Sequence, residues 1–234
     1  MKIIGRDIGD SLDRMYHEVE ARLAAAERDL KVVPYEGEGL SNVKWSSKAV
    51  TISLHSAAPT HALPHIFGVA LQHVRQDLDG YPNVRKPKGR QPEGADLVRS
   101  ALRELVLEPD AEAQLTGLGL DREWEQEQRH QAMKDLLRDP PADWNEEGSL
   151  GNDFIALQCA RLEVTHPPKM WDALRKRVEE VLPVAAQRSG IASRALRRKR
   201  WGSAQACLQS LINVRDDLNL GDIATIADGA GREY

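Results

Sequence analysis

Four of the seven histidines fall in one stretch, at positions 55, 61, 65 and 73. Imidazole ligates metals and carries protons near neutral pH, so chemistry is expected here first. His61 and His65 stand four apart, the spacing that puts two ligands on one helix face, with His55 upstream. Glu108 and Asp110 are the carboxylates that a second element could bring to them. Pro64, between the two histidines, argues against regular helix there, and a histidine-rich loop that binds nothing is the competing reading. His65 and His73 are eight apart, about 12 Å along a helix axis, and cannot chelate one ion together.

A second feature is the segment 194–201, RALRRKRW, with five basic residues in seven and an indole beside them. Arg194, Arg197, Arg198, Lys199 and Arg200 suit phosphates or an acidic partner face, and Trp201 suits stacking on a base. The alternative is a basic helix segment paired with acids such as Glu179 and Glu180. Cys159 and Cys207 lie in apolar helical patterns without partner spacing and read as buried thiols. No GxSxG elbow is present, and the glycine-rich GDIATIADGAG lacks the strand-to-helix setting of a phosphate loop.

The elements that must position these residues follow from periodicity. Leu63, Ile66, Phe67, Ala70, Leu71, Val74 and Leu78 form one apolar stripe at helical spacing, with His65, Val69 and His73 along its flank. Thr60 is the expected N-cap, and Gly80 and Pro82 the stop. An earlier helix is expected over 8–30, then strands over 31–35, 42–45 and 49–54, the first two separated by the glycine-rich segment 36–39. Pro34 places its strand at a sheet edge. Residues 83–94 read as a loop and 95–107 as a helix with Leu97 inward, and Pro109 should end that helix or begin another. A charged helix over 121–138, a loop over 139–152, and helices over 154–162, from 170 to a stop at Gly190, and over 203–218 complete the chain.

The segment QHVRQDLDGYP resembles the active-site helix of bacterial zincin-like metallopeptidase domains, in which HExxH is followed by Gly-aromatic-Pro. Gly80, Tyr81 and Pro82 stand at the matching distance from His73, and LGLD at 118–121 is similar to a phrase that ends a later helix in that family. The resemblance covers roughly residues 8–121. It implies a helix, short strands and then the active-site helix, with a third metal ligand near Glu108 or Asp110. The motif itself has become VALQH at 69–73: Val69 stands where the first histidine belongs and Ala70 where the glutamate belongs. Neither can ligate zinc or activate its water.

The chain has 234 residues, 41% hydrophobic and 29% charged, with a net charge of −4. This composition fits a soluble protein and argues against a nucleic-acid coat or a polybasic membrane binder. No signal core or run of 18 apolar residues is present, so a cytoplasmic protein is expected. The expected fold is mostly helical α+β, with a small sheet packed on helices over 1–121 and a helical extension over 122–234 packed with it as one domain. The expected role is a non-catalytic zincin-like module that binds another protein and holds no cofactor. A metal-dependent hydrolase with a rearranged zinc site built from His61, His65 or His73 with Glu108 or Asp110 is the alternative. Nucleic-acid binding through 194–201 is the third.

Overall fold

The computed structural model describes residues 1–37 and 39–234, so Glu38 of the glycine-rich segment lies outside the described residues. A hairpin of β1 (Lys2–Ile3) and β2 (Arg6–Asp7) precedes helix α1 (Asp13–Ala25). Strands β3 (Asp29–Tyr35), β4 (Ser41–Trp45) and β5 (Ala49–His55) lead into helix α2 (Leu63–Leu78). Strand β6 (Asn83–Arg85) is followed by helices α3 (Ala95–Leu115) and α4 (Glu123–Leu136) and a 3-10 turn at Ala142–Asn145. Helices α5 (Leu150–Thr165), α6 (Pro168–Val181), α7 (Pro183–Arg197) and α8 (Ala204–Asp217) and strand β7 (Thr225–Ala227) complete the chain. At 55% helix and 13% strand, the protein belongs to the mostly helical α+β class expected from its sequence.

The chain divides into two interleaved units, Met1–Asp79 with Ala111–Glu127, and Gly80–Asp110 with Gln128–Tyr234.

In the first unit, the sheet order is β3-β5-β4, with β5 parallel to β3 and antiparallel to β4. The central strand carries the most apolar sequence, and Val50, Ile52 and Leu54 are fully buried on one face. Pro34 lies in β3, an edge strand of this sheet, where its missing N–H costs no ladder bond. Leu63, Ile66, Phe67 and Leu71 of α2 join Val19 and Leu23 of α1 and the β5 residues in one core. Each such side chain contributes about 1.5–3 kcal/mol through burial. Gly68 is the close-approach point of α2: a Cβ there would lie 3.2 Å from the Leu115 side chain and 3.3 Å from that of Leu120.

Two boundaries in this unit differ from expectation. Helix α1 covers only Asp13–Ala25, because Ile8 and Leu12 are buried ahead of it and β3 already begins at Asp29. Thr60 does not cap α2; the N-cap is Ala62, and a turn from Pro59, whose carbonyl accepts from the Ala62 and Leu63 N–H groups, carries the chain into the helix. The stop is as expected: α2 ends at Leu78, and Gly80 takes φ +71°.

The second unit has two apolar clusters. One gathers Leu102, Leu105 and Val106 of α3 with Leu157, Leu196 and Leu211, and the other gathers Met133 of α4 and Leu137 just after it with Ile155, Leu162, Trp171 and Leu174. Strand β6 pairs antiparallel with β7, from Asn83↔Ala227 to Arg85↔Thr225, so the expected loop opens with a strand and the glycine-rich tail supplies its partner. Leu97 is 55% exposed and does not face inward.

Helix α3 runs unbroken through Pro109. An interior proline removes one backbone hydrogen bond and costs about 3 kcal/mol. Here Glu108, Pro109 and Asp110 are all buried, and the flanking carboxylates are fixed by partners described below, so tertiary packing overrides the local preference. The helix expected to close at Gly190 is two helices. Leu182, at φ −136° and ψ 59°, leaves the helical region as a residue before proline tends to, and Pro183 starts α7 with Gly190 inside it.

Candidate functional site

Helix α2 and its approaches set the histidines of the first unit. His55 ends β5, where its ring meets Tyr35 edge-on at 5.6 Å between centroids and its Nδ1 accepts from the Ala57 N–H at 3.1 Å. His61 precedes α2, with a side chain 61% exposed and Nε2 3.9 Å from Asp121 Oδ2. Because the helix begins at Leu63, His61 and His65 share no helical face. His65 is 4% exposed, and its Nδ1 lies 2.8 Å from Glu125 Oε2. His73 is half-buried, with Nδ1 2.9 Å from Gln76 Oε1. Val69 and Ala70 are 6% and 1% exposed and belong to the core of the unit. Helix α2 is therefore buried nearly all round, and the stripe read from its sequence is only part of a larger apolar surface.

The two acids proposed from sequence lie on α3 in the second unit, and each is committed. Arg129 of α4 forms an ion pair with Glu108, and Arg161 of α5 donates to Glu108 Oε2 at 3.0 Å while also pairing with Glu104. Glu108 is 4% exposed, so two guanidinium groups compensate a carboxylate withdrawn from water. Asp110 is fully buried, and its Oδ1 accepts the Gly202 N–H at 2.7 Å.

Beside this network stands a histidine pair that local spacing does not reveal. The rings of His130 on α4 and His166, the cap residue of α5, are stacked 6.0 Å apart with 30° between their planes. His166 is 6% exposed, and neither of its ring nitrogens hydrogen-bonds to a described residue. Burial, then the neighbouring His130, Arg129 and Arg161, lower its pKa to about 4. Burial and Lys134 lower that of His130. Both rings are thus held neutral at pH 7, and their positive surroundings oppose protonation. His130 and His166 are 36 positions apart in sequence, on different elements, so no local spacing marks them as a pair.

The basic segment spans the end of α7 and the turn after it. Arg197 pairs with Glu163 and Arg198 with Asp217, while Arg194 and Lys199 are exposed. The Arg200 guanidinium lies 5.4 Å from the centre of the Trp201 ring. Arg200 has φ +61°, a strained conformation held by the Ser210 hydroxyl, which donates to the Arg200 carbonyl at 2.5 Å, and by Asp110 at Gly202. The acids that neutralise Arg197 and Arg198 are not Glu179 and Glu180, which pair with Arg175 and Arg177. Cys159 and Cys207 are buried free thiols, each pushed up to about 12 chiefly by burial, with Asp110 adding to the shift at Cys207.

No protein-family model, curated protein or solved structure matches the chain. Among the described residues, no three His, Cys, Asp or Glu side chains are grouped to hold a metal ion, and no helix is long and apolar enough to cross a membrane. His73 and His65 lie in the first unit and Glu108 and Asp110 in the second, each side chain with the partners given above.

Proposed function

We propose that the first unit is a non-catalytic binding or regulatory module, derived from a zincin-like metallopeptidase fold whose active residues have been lost, and that its partner is another protein. The observation that carries this reading is the burial of Val69 and Ala70 in the apolar core, at the positions where the resemblance requires a metal ligand and a general base. A valine and an alanine offer zinc no lone pair and water no proton acceptor. The partners of the nearby histidines support it as well: Glu125 holds His65 and Gln76 holds His73. The order of α1, three strands and α2 is the order on which the resemblance rests.

The test is a hydrolysis assay on an unfolded protein substrate with added zinc. The expected result is turnover no greater than the blank, unchanged in His73→Ala. Turnover that disappears in His73→Ala would favour the rearranged hydrolase instead.

A further inference from the structure

Within the second unit, Glu104 and Glu108 of α3, Arg129 and His130 of α4, and Arg161 and the cap residue His166 of α5 form one polar cluster. Its carboxylates are committed to the guanidinium groups: Glu108 pairs with Arg129 and Arg161, and Glu104 with Arg161. The next acid on α5, Glu163, accepts from the Ser193 hydroxyl and pairs with Arg197 of α7. The imidazoles take no part in these bonds. His166 is 6% exposed, and both its ring nitrogens lack a hydrogen-bond partner among the described residues, as does His130 Nδ1. The buried Nε–H of Arg161 lacks one too.

A neutral imidazole always carries one N–H, and the Nε of a guanidinium only donates. Whichever tautomer His166 adopts, the cluster therefore holds buried donors without an acceptor, and leaving such groups unmade is costly. The charged groups that act on the two rings are cationic: Arg129 and Arg161 on His166, and Lys134 on His130. Unmatched donors in cationic surroundings select an acceptor with negative charge and oppose a metal cation. The surroundings are also closed, with the side chains of Arg161 and Arg129 only 12% and 16% exposed. That closure favours a monatomic anion over a bulkier oxyanion.

We propose that this cluster binds a chloride ion, with the N–H groups of His166, His130 and Arg161 as its donors, while Glu108 stays with its two guanidinium groups. The bound charge favours the imidazolium form of His166, which offers two N–H donors in place of one. Chloride uptake and proton uptake at this site therefore reinforce each other. The inference concerns the second unit and does not depend on the reading given for the first.

Chloride is the probe, added to the full chain as sodium chloride in place of sodium gluconate at constant ionic strength, which holds screening fixed. The readouts are ³⁵Cl NMR line broadening and the denaturant midpoint, since an ion that binds only the folded chain stabilises it. Both should respond saturably at pH 7.5, with a dissociation constant on the order of 50 mM for a single bound atom. At pH 5.5 that constant should be roughly threefold to tenfold smaller, through the linked proton. His166→Leu should remove the saturable part of both signals. His130→Phe keeps a ring at the half-buried position and should weaken binding several-fold. If His166→Leu does not fold, His130→Phe and the pH dependence decide. A strictly linear response to chloride, saturable binding retained in a folded His166→Leu or undiminished in His130→Phe, or binding no tighter at pH 5.5 than at 7.5 would overturn the proposal.

Discussion

His65 and Glu125 form a sealed pair, with Nδ1 and Oε2 2.8 Å apart and side chains 5% and 6% exposed. The contact ties the start of α2 to α4 within the first unit. Removing the carboxylate leaves a buried imidazole nitrogen unpaired, so Glu125→Ala should cost about 2–4 kcal/mol. Glu125→Gln, which keeps an acceptor, should cost less than half as much. Denaturant midpoints read both, and equal losses would show that the hydrogen bond is not what holds α2 there.

Glu108 is the hub of the second unit's ion network. Glu108→Ala leaves Arg129 and Arg161 buried without their shared carboxylate and should cost about 3–5 kcal/mol. Adding Arg161→Met should recover part of that loss, because one of the two guanidinium groups that Glu108 served is then gone. The double-mutant cycle measures the coupling. Strictly additive losses would contradict a network role for Glu108.

The histidine pair predicts an acid limb in stability. His166 titrates near 4 in the folded protein, against 6.5 for an ordinary histidine, so between those values the unfolded chain binds more protons. Stability should therefore be fully present above about pH 6.5 and fall as pH drops toward 4. His166→Leu removes both unpartnered nitrogens and should flatten this limb without loss of stability at pH 7.5. An unchanged acid limb in that variant would refute the assignment.

Asp110 should act as an anchor for the turn that carries the basic segment. Asp110→Ala removes the acceptor of the Gly202 N–H, and hydrogen exchange at Gly202 should quicken markedly while β3–β5 in the first unit are unaffected. The stability loss should be about 1–3 kcal/mol. Unchanged exchange at Gly202 would mean that the turn holds itself.

Much of the local structure was legible in the sequence because it depends on local rules. The alternation at 49–54 marked β5, Pro34 marked an edge, and Gly80 marked the end of α2. The misreadings arose where distant contacts outweigh those rules. Pro109 stays helical because both its neighbours are clamped from other elements, and the Leu182–Pro183 break was hidden by an apolar pattern continuing across it. Glu108 was singled out as a metal ligand, but Arg129 and Arg161, which neutralise it, and the pair of His130 and His166 are assembled from separate helices. No spacing rule connects such residues, so their juxtaposition emerges only in the folded chain.

The most direct test of the proposed role of α2 is the metal content of protein purified without an affinity tag, alongside His65→Ala and His73→Ala. The account predicts far less than one zinc or other transition metal per chain, and no rise in melting temperature on adding zinc. Close to one metal per chain, lost in either variant, would contradict it and establish a metal centre on α2.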